Sequence, residues 1–185
     1  DVERSRGLGD VYKRQNIGKT SDDFHARFDA KKRTYIYIIK NSEVPLGIEF
    51  DNFLWIRSRL NEKQMNKAAK KLLGEQDFSS FRASGCQSKS VIRRIYKANV
   101  TRKGNYLIFE VTANAFLLNM IRIIVGTLIK VGKNEITPED FEDIIKKRDR
   151  KLAGRTIEAK GLYFVGPEYN NLDYKVNKVF VNELD

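Results

Sequence analysis

ANAFLLNMIRIIVGTLIKVG, residues 113–132, carries one cation in the middle of an apolar run. From Val111 to Ile129 the only charged side chain is Arg122. Phe116, Met120, Ile123, Ile124 and Leu128 recur around it at helical spacing. The stretch reads as a strand end running into a core helix. It is about as long as a membrane span, but Thr112, Asn114, Asn119, Arg122, Gly126 and Thr127 interrupt it, so no span is expected. A buried guanidinium is costly unless paired. Arg122 therefore either reaches the surface along its stem or faces an anion, and in the second case the chain has a site.

Outward from this stretch the elements follow from local patterns. Residues 91–101 and 105–113 read as paired strands joined by a short turn containing Gly104. Upstream, RTYIYIIK (33–40) reads as a strand, ended by Asn41 to Gly47 with Pro45. Residues 61–73 read as a helix: Asn61 caps it, Gln64 completes a capping-box pattern and Gly74 stops it. Met65, Ala68, Ala69, Leu72 and Leu73 form its buried face. Downstream, Thr137-Pro138-Glu139-Asp140 starts a helix with Phe141, Ile144 and Ile145 facing inward. LYFVG (162–166) reads as a last strand. The order β-α-β-β-α-(α)-β is the ferredoxin-like, α+β pattern of an antiparallel sheet with helices on one face. Residues 1–15 show no period and are set apart as a disordered or foreign segment; residues 16–170 form the domain and 171–185 a tail.

The 185 residues carry a formal charge of +11. Such a field favours a polyanion, most simply nucleic acid, although Lys-rich surfaces also arise from AT-rich coding. Cys86 is the sole cysteine and His25 the sole histidine, which excludes an internal disulfide and Cys/His metal clusters. This cysteine usage suits a reducing cytoplasm, and no signal peptide or metal is expected.

Three segments invite a chemical reading. DFSSFRASGCQSKS (77–90) mixes Phe78 and Phe81 with Arg82, Gln87, Ser88 and Lys89. Aromatics stack on bases and cations contact phosphate, but an ordinary loop over two packed Phe reads the same way. Cys86 has no histidine near it in sequence and reads as a small buried or half-buried thiol rather than a nucleophile. FHARFDAKKRTYIY (24–37) interleaves His25, Arg27, Lys31, Lys32 and Arg33 with Phe24, Phe28, Tyr35 and Tyr37. That alternation suits RNA, making His25, Arg27 and Arg33 substrate-binding candidates; a lysine-protected edge strand is the plainer alternative. GRTIEAKGLYF (154–164) places Gly161 at a strand start, where it allows a tight turn or a close backbone approach.

Taken together, FHARFDA, DFSSFRASGCQSKS, ANAFLLNMIRIIVGTLIKVG and AGRTIEAKGLYF, in this order, resemble the C-terminal half of the tRNA pseudouridine synthase A family over about residues 24–169. The resemblance implies an isomerase that detaches uracil from ribose and rejoins it through C5 without a cofactor. Its implied substrates are tRNA uridines of the anticodon stem–loop, around positions 38–40. A homodimer is implied, with the cleft between two ferredoxin-like halves. By motif position Tyr35 matches the tyrosine lying on the uracil, Arg122 the arginine paired with the catalytic aspartate, and Leu162 the apolar lining of the base pocket. Arg82, Gln87 and Ser88 fall in a segment near bound RNA. An aspartate held ionised by Arg122 is an able nucleophile, and the target base must be flipped to reach it.

One departure stands out. The family's aspartate lies in a G-R-T-D-x-G-V-H type motif ahead of FHARF, whereas here no aspartate follows Arg-Thr, and Gly154-Arg155-Thr156 continues with Ile157. The expectation is a truncated half-enzyme, inactive alone, that binds RNA weakly. A subunit completed by another polypeptide fits the same sequence. A non-catalytic RNA-binding module of ferredoxin-like fold is the alternative of another class. It calls for exposed stacking aromatics, yet Tyr106 and Phe109 cannot share a face of one strand.

Overall fold

A computed structural model of the chain describes residues 20–45 and 52–170. The expectations for residues 1–15, for the 171–185 tail and for Gly47 lie outside the described residues. Strand β1 (Lys32–Asn41) is followed by β2 (Leu54–Ile56), α1 (Glu62–Lys70) and β3 (Gly74–Asp77). After a 3-10 turn at Ser79–Phe81 come β4 (Ile92–Lys103), β5 (Tyr106–Ala113), α2 (Met120–Gly132), α3 (Pro138–Lys147) and β6 (Leu162–Glu168). Among the described residues the result is a mixed α+β fold with one sheet and three helices.

The sheet runs β3-β4-β5-β1, and two strands share the far edge of β1. β6 pairs antiparallel with its first half, Lys32 to Tyr37. β2 pairs parallel with its end, Ile39 to Asn41. Buried Asn41 secures that end: its Nδ2 donates to the Ile56 and Ser58 carbonyls at 2.9 and 2.8 Å. Its Oδ1 accepts from the Leu60 N–H and from Arg102 Nη2.

Strand alternation sorts the side chains into two layers. Tyr37 and Ile39 of β1 join Phe109 and Val111 of β5 in the main core beneath α1, α2 and α3. Ile36 and Ile38 face the other way and form a second, small cluster with Ile108 and Phe53. The helices thus cover one face, and the 52–53 segment shields part of the opposite one.

Helix starts follow their sequence signals. Asn61 accepts from the Gln64 N–H at 3.2 Å, which is one half of the expected capping box. Thr137 and Asp140 form the reciprocal box in full, with Pro138 at the first turn. Helix α1 is shorter than the expected 61–73: it ends at Lys70 with Lys71 as its cap, and Gly74, at φ +94°, opens β3 instead. Helix α2 starts only at Met120, so Phe116 belongs to the irregular 114–119 segment rather than to the helix.

Strands β2 and β3 were not expected. Three and four residues show no period, and GEQD has no apolar residue; β3 exists because it meets Arg93 and Arg94 across the β4 ladder.

Helix α2 and the chain at 154–158 approach at backbone distance. A Cβ on Gly126 would run into the Arg155 carbonyl, and one on Gly154 would lie 2.6 Å from the Gly126 carbonyl carbon. Buried Thr127 closes the contact: its Oγ1 accepts from the Gly154 N–H and donates to the Ile123 carbonyl, both at 2.8 Å. In a free helix Gly→Ala stabilises by about 0.5–1 kcal/mol. Here Gly126→Ala is expected to destabilise by about 1–3 kcal/mol through overpacking, read as a lower urea midpoint at unchanged slope. A raised midpoint would contradict the close packing.

Candidate active site

The 154–158 segment held by Gly126 and Thr127 is the partner of Arg122. Arg122 Nε donates to the Ile157 carbonyl at 2.6 Å, and Nη1 donates to Asn119 Oδ1 at 2.9 Å. No described carboxylate pairs with Arg122. The side chain is half-buried, so the sequence dilemma resolves partly: the stem crosses the apolar layer, and backbone and amide oxygens satisfy two of its nitrogens while Nη2 makes no bond.

One residue further along, the Glu158 carbonyl accepts from the Tyr37 hydroxyl at 2.7 Å. Tyr37 is fully buried, and burial lifts its phenol far above the ordinary value, with Glu158 adding to the rise and Arg122 opposing it. Two residues earlier on the same face, Tyr35 is half-buried. Its ring lies edge-on to Phe116 at 5.2 Å and 4.9 Å from Phe164. A bulge in β6, where Val165 is the extra residue opposite Thr34/Tyr35, sets that approach. Leu162 pairs with Tyr37 and lies on the same face, half-buried against the core. Burial raises the Tyr35 phenol, against a smaller opposing pull from Arg33. The rings of Tyr35, Phe116 and Phe164 form an aromatic cluster, with Phe164 54% exposed.

The remaining predicted residues gather around the loops at the same end of the sheet. Arg33 donates to the Ala30 carbonyl at 3.1 Å, the Asn114 carbonyl at 2.6 Å and the Arg27 carbonyl. It therefore ties the FHARF turn to the segment leading into α2. In that turn His25 Nδ1 accepts from the Arg27 and Phe28 N–H groups, and exposed Phe28 packs on the His25 ring at 4.3 Å. Arg82 Nη2 donates to the Cys86 and Ser88 carbonyls at 2.6 and 3.2 Å, folding the 82–88 loop on itself. That loop docks on the 114–119 segment through Ala83 N–H to the Leu118 carbonyl and Leu118 N–H to Cys86 Sγ. The second contact is the largest cause holding the half-buried thiol below its ordinary pKa. Gln87 is exposed, and the Ser88 hydroxyl accepts from Arg93 Nη2 at 2.7 Å. Phe109 is core and Tyr106 packs on the opposite face, so these two strand aromatics form no stacking platform.

Sequence reasoning missed Asn119, Phe164 and the Ile157 carbonyl. A backbone acceptor carries no residue signature, and the bulge that brings Phe164 to Tyr35 depends on β6 pairing. Beside the site, a groove of about 1010 Å³ runs between α2, β2 and the 155–158 segment. Arg57, Arg59, Lys130 and Arg155 line it, and none of the four pairs with a described carboxylate. Among the described residues no group of His, Cys, Asp and Glu is placed to hold a metal, and no helix is long and apolar enough to cross a membrane.

Fold and site define an α+β protein in which Arg122, in the first turn of an apolar helix, is held on the segment leading into β6, the strand that brings Phe164 to Tyr35. The sequence profile described as tRNA pseudouridine synthase matches residues 68–170, and the chain belongs to that family. Three relatives carry the name tRNA pseudouridine synthase A. The protein of Francisella philomiragia is 44% identical over 160 residues, covering 86% of this chain and 62% of that protein. That of Vibrio campbellii is 48% identical over 151 residues, covering 82% and 57%. That of Vibrio parahaemolyticus is 49% identical over 148 residues, covering 80% and 56%. The chain thus spans 56–62% of the length of these relatives.

Because folding raises the Tyr37 pKa, its contribution to stability is complete below the unfolded value of about 10 and is lost as pH rises above it. Urea unfolding between pH 9 and 11 is expected to show a fall that Tyr37→Phe lessens by up to about 1.4 kcal/mol per pH unit. An equal fall in the variant would contradict the buried, neutral phenol.

Proposed function

We propose that this chain forms the arginine-and-tyrosine side of a site that isomerises uridine to pseudouridine in tRNA. The observation that carries the reading is Arg122: a cation in an apolar helix, fixed on two oxygens, with Nη2 unbonded and no described carboxylate beside it. Family membership supplies the reaction class.

In this reading a flipped uracil enters between Tyr35, Phe164 and Leu162, where the rings offer it a face. Arg122 holds the attacking aspartate ionised. Arg-Thr-Asp does not occur in the 185 residues, so that aspartate belongs to a segment outside them. The N1–C1′ bond breaks and a C5–C1′ bond forms; the C5 proton leaves to solvent and N1 gains one. No cofactor takes part. The cations of the α2 groove, and Arg27 at the FHARF turn, suit an RNA backbone, and uridines 38–40 of the anticodon stem–loop are the proposed targets. The order β6-β1-β5-β4, with α1 and α2 as the crossing helices, supports a ferredoxin-like half. A homodimer acting in the cytoplasm completes the reading.

The test is pseudouridine formation on an unmodified tRNA transcript. The chain alone is expected to give none. Mixed with a separately expressed N-terminal part of a complete relative it is expected to give product, and Arg122→Gln to lower the rate about a hundredfold or more. Product from the chain alone, or an Arg122→Gln mixture of full activity, would overturn the assignment.

A further inference from the structure

We propose that Asn119 is a positioning residue for Arg122, and that its side chain has been diverted from helix capping to hold the guanidinium. The three helices among the described residues allow the comparison. Asn61 and Thr137 occupy the usual cap position with extended backbone, and each accepts from an N–H of its own first turn. Asn119 occupies the same position at α2 and does neither. Its backbone is left-handed, at φ 57° and ψ 11°, and its side chain caps no N–H of the helix. Oδ1 accepts instead from Arg122 Nη1 at 2.9 Å.

The left-handed region is disfavoured for residues with a Cβ, and asparagine is among the few that enter it. Such conformations persist where the surroundings over-determine them. Two bonds do so here. The Asn119 carbonyl accepts from the Ile123 N–H at 3.0 Å, while the Met120 N–H reaches back to the Leu117 carbonyl at 3.1 Å. With the backbone turned this way the amide lies beside the guanidinium one turn on. Nε on Ile157 and Nη1 on Asn119 together fix two edges of a planar group, which fixes the third. Nη2 is thereby presented in one direction instead of sampling several, and ordering a donor before reaction is what a charge-stabilising site requires. Asn119 touches no reacting atom in this account and acts only through Arg122.

The inference rests on the function proposed for Arg122, but its first readout does not need catalysis. Asn119→Gly tolerates the left-handed backbone and deletes only the amide, while Asn119→Asp restores an acceptor at the same place. Side-chain ¹H–¹⁵N spectra of the 185-residue chain would follow Arg122 Nε and Nη. Wild-type protein is expected to show separate Nη signals. Asn119→Gly is expected to average them and to speed Nε–H exchange about five- to tenfold, as the loss of one charge-assisted hydrogen bond implies, with the backbone spectrum retained. Asn119→Asp is expected to restore the separate signals. Unchanged Arg122 signals in Asn119→Gly would overturn the proposal, as would Asn119→Asp behaving like Asn119→Gly. In the reconstituted pseudouridine assay Asn119→Gly is expected to lower kcat with KM unchanged, and equal kcat in an active mixture would also overturn it. If the wild-type mixture makes no pseudouridine, the functional reading fails, and the spectra still decide whether Asn119 positions Arg122.

Discussion

The hydrogen bond from Arg122 Nε to the Ile157 carbonyl holds the functional end of the molecule together. It joins the first turn of α2 to the segment that becomes β6, and so couples the helix layer to the strand bordering β1. Every neighbouring feature is arranged to permit it. Gly126 and Gly154 let two backbones meet, Thr127 pins them, and the Tyr37 hydroxyl takes the next carbonyl. An unpaired guanidinium in this apolar layer would cost several kcal/mol. Satisfying it with a carbonyl and an amide leaves its charge uncancelled, which an internal carboxylate would not have done.

The same logic separates cations that build the site from cations free to meet a ligand. Arg33 and Arg82 were read from sequence as RNA contacts, and the donors described here point to backbone carbonyls of the 27–30, 86–88 and 114 positions. They order the loops at that end of the sheet. Among the described residues Arg57, Arg59, Lys130 and Arg155 carry no such bonds, and they line the groove that continues from Ile157 along α2. Charge counted along a sequence cannot make this distinction, because it depends on which carbonyls the fold brings within reach.

Legibility in the sequence followed the range of each interaction. The helix start at Thr137-Pro138, the Gly104 hairpin and the β1 strand are written within a few residues, and they formed as read, while the box read at Asn61 formed by half. Arg122 was visible because a single charge in an apolar helical period has few explanations. Strands β2 and β3 were invisible because they are short and exist through pairing with β1 and β4. Asn119 was passed over because nothing local distinguishes an asparagine that caps from one that turns left-handed. Leu162 and Tyr35 were placed by family resemblance, and the pairing of β6 with β1 brings them to one face.

The most direct measurement is single-turnover pseudouridine formation by a chimera in which residues 24–170 of this chain replace the matching part of a complete relative. The account predicts that the chimera converts uridine, and that its Arg122→Gln form binds tRNA with unchanged affinity while its conversion rate falls by at least about a hundredfold. Equal single-turnover rates for the two chimeras would contradict the central role given to Arg122.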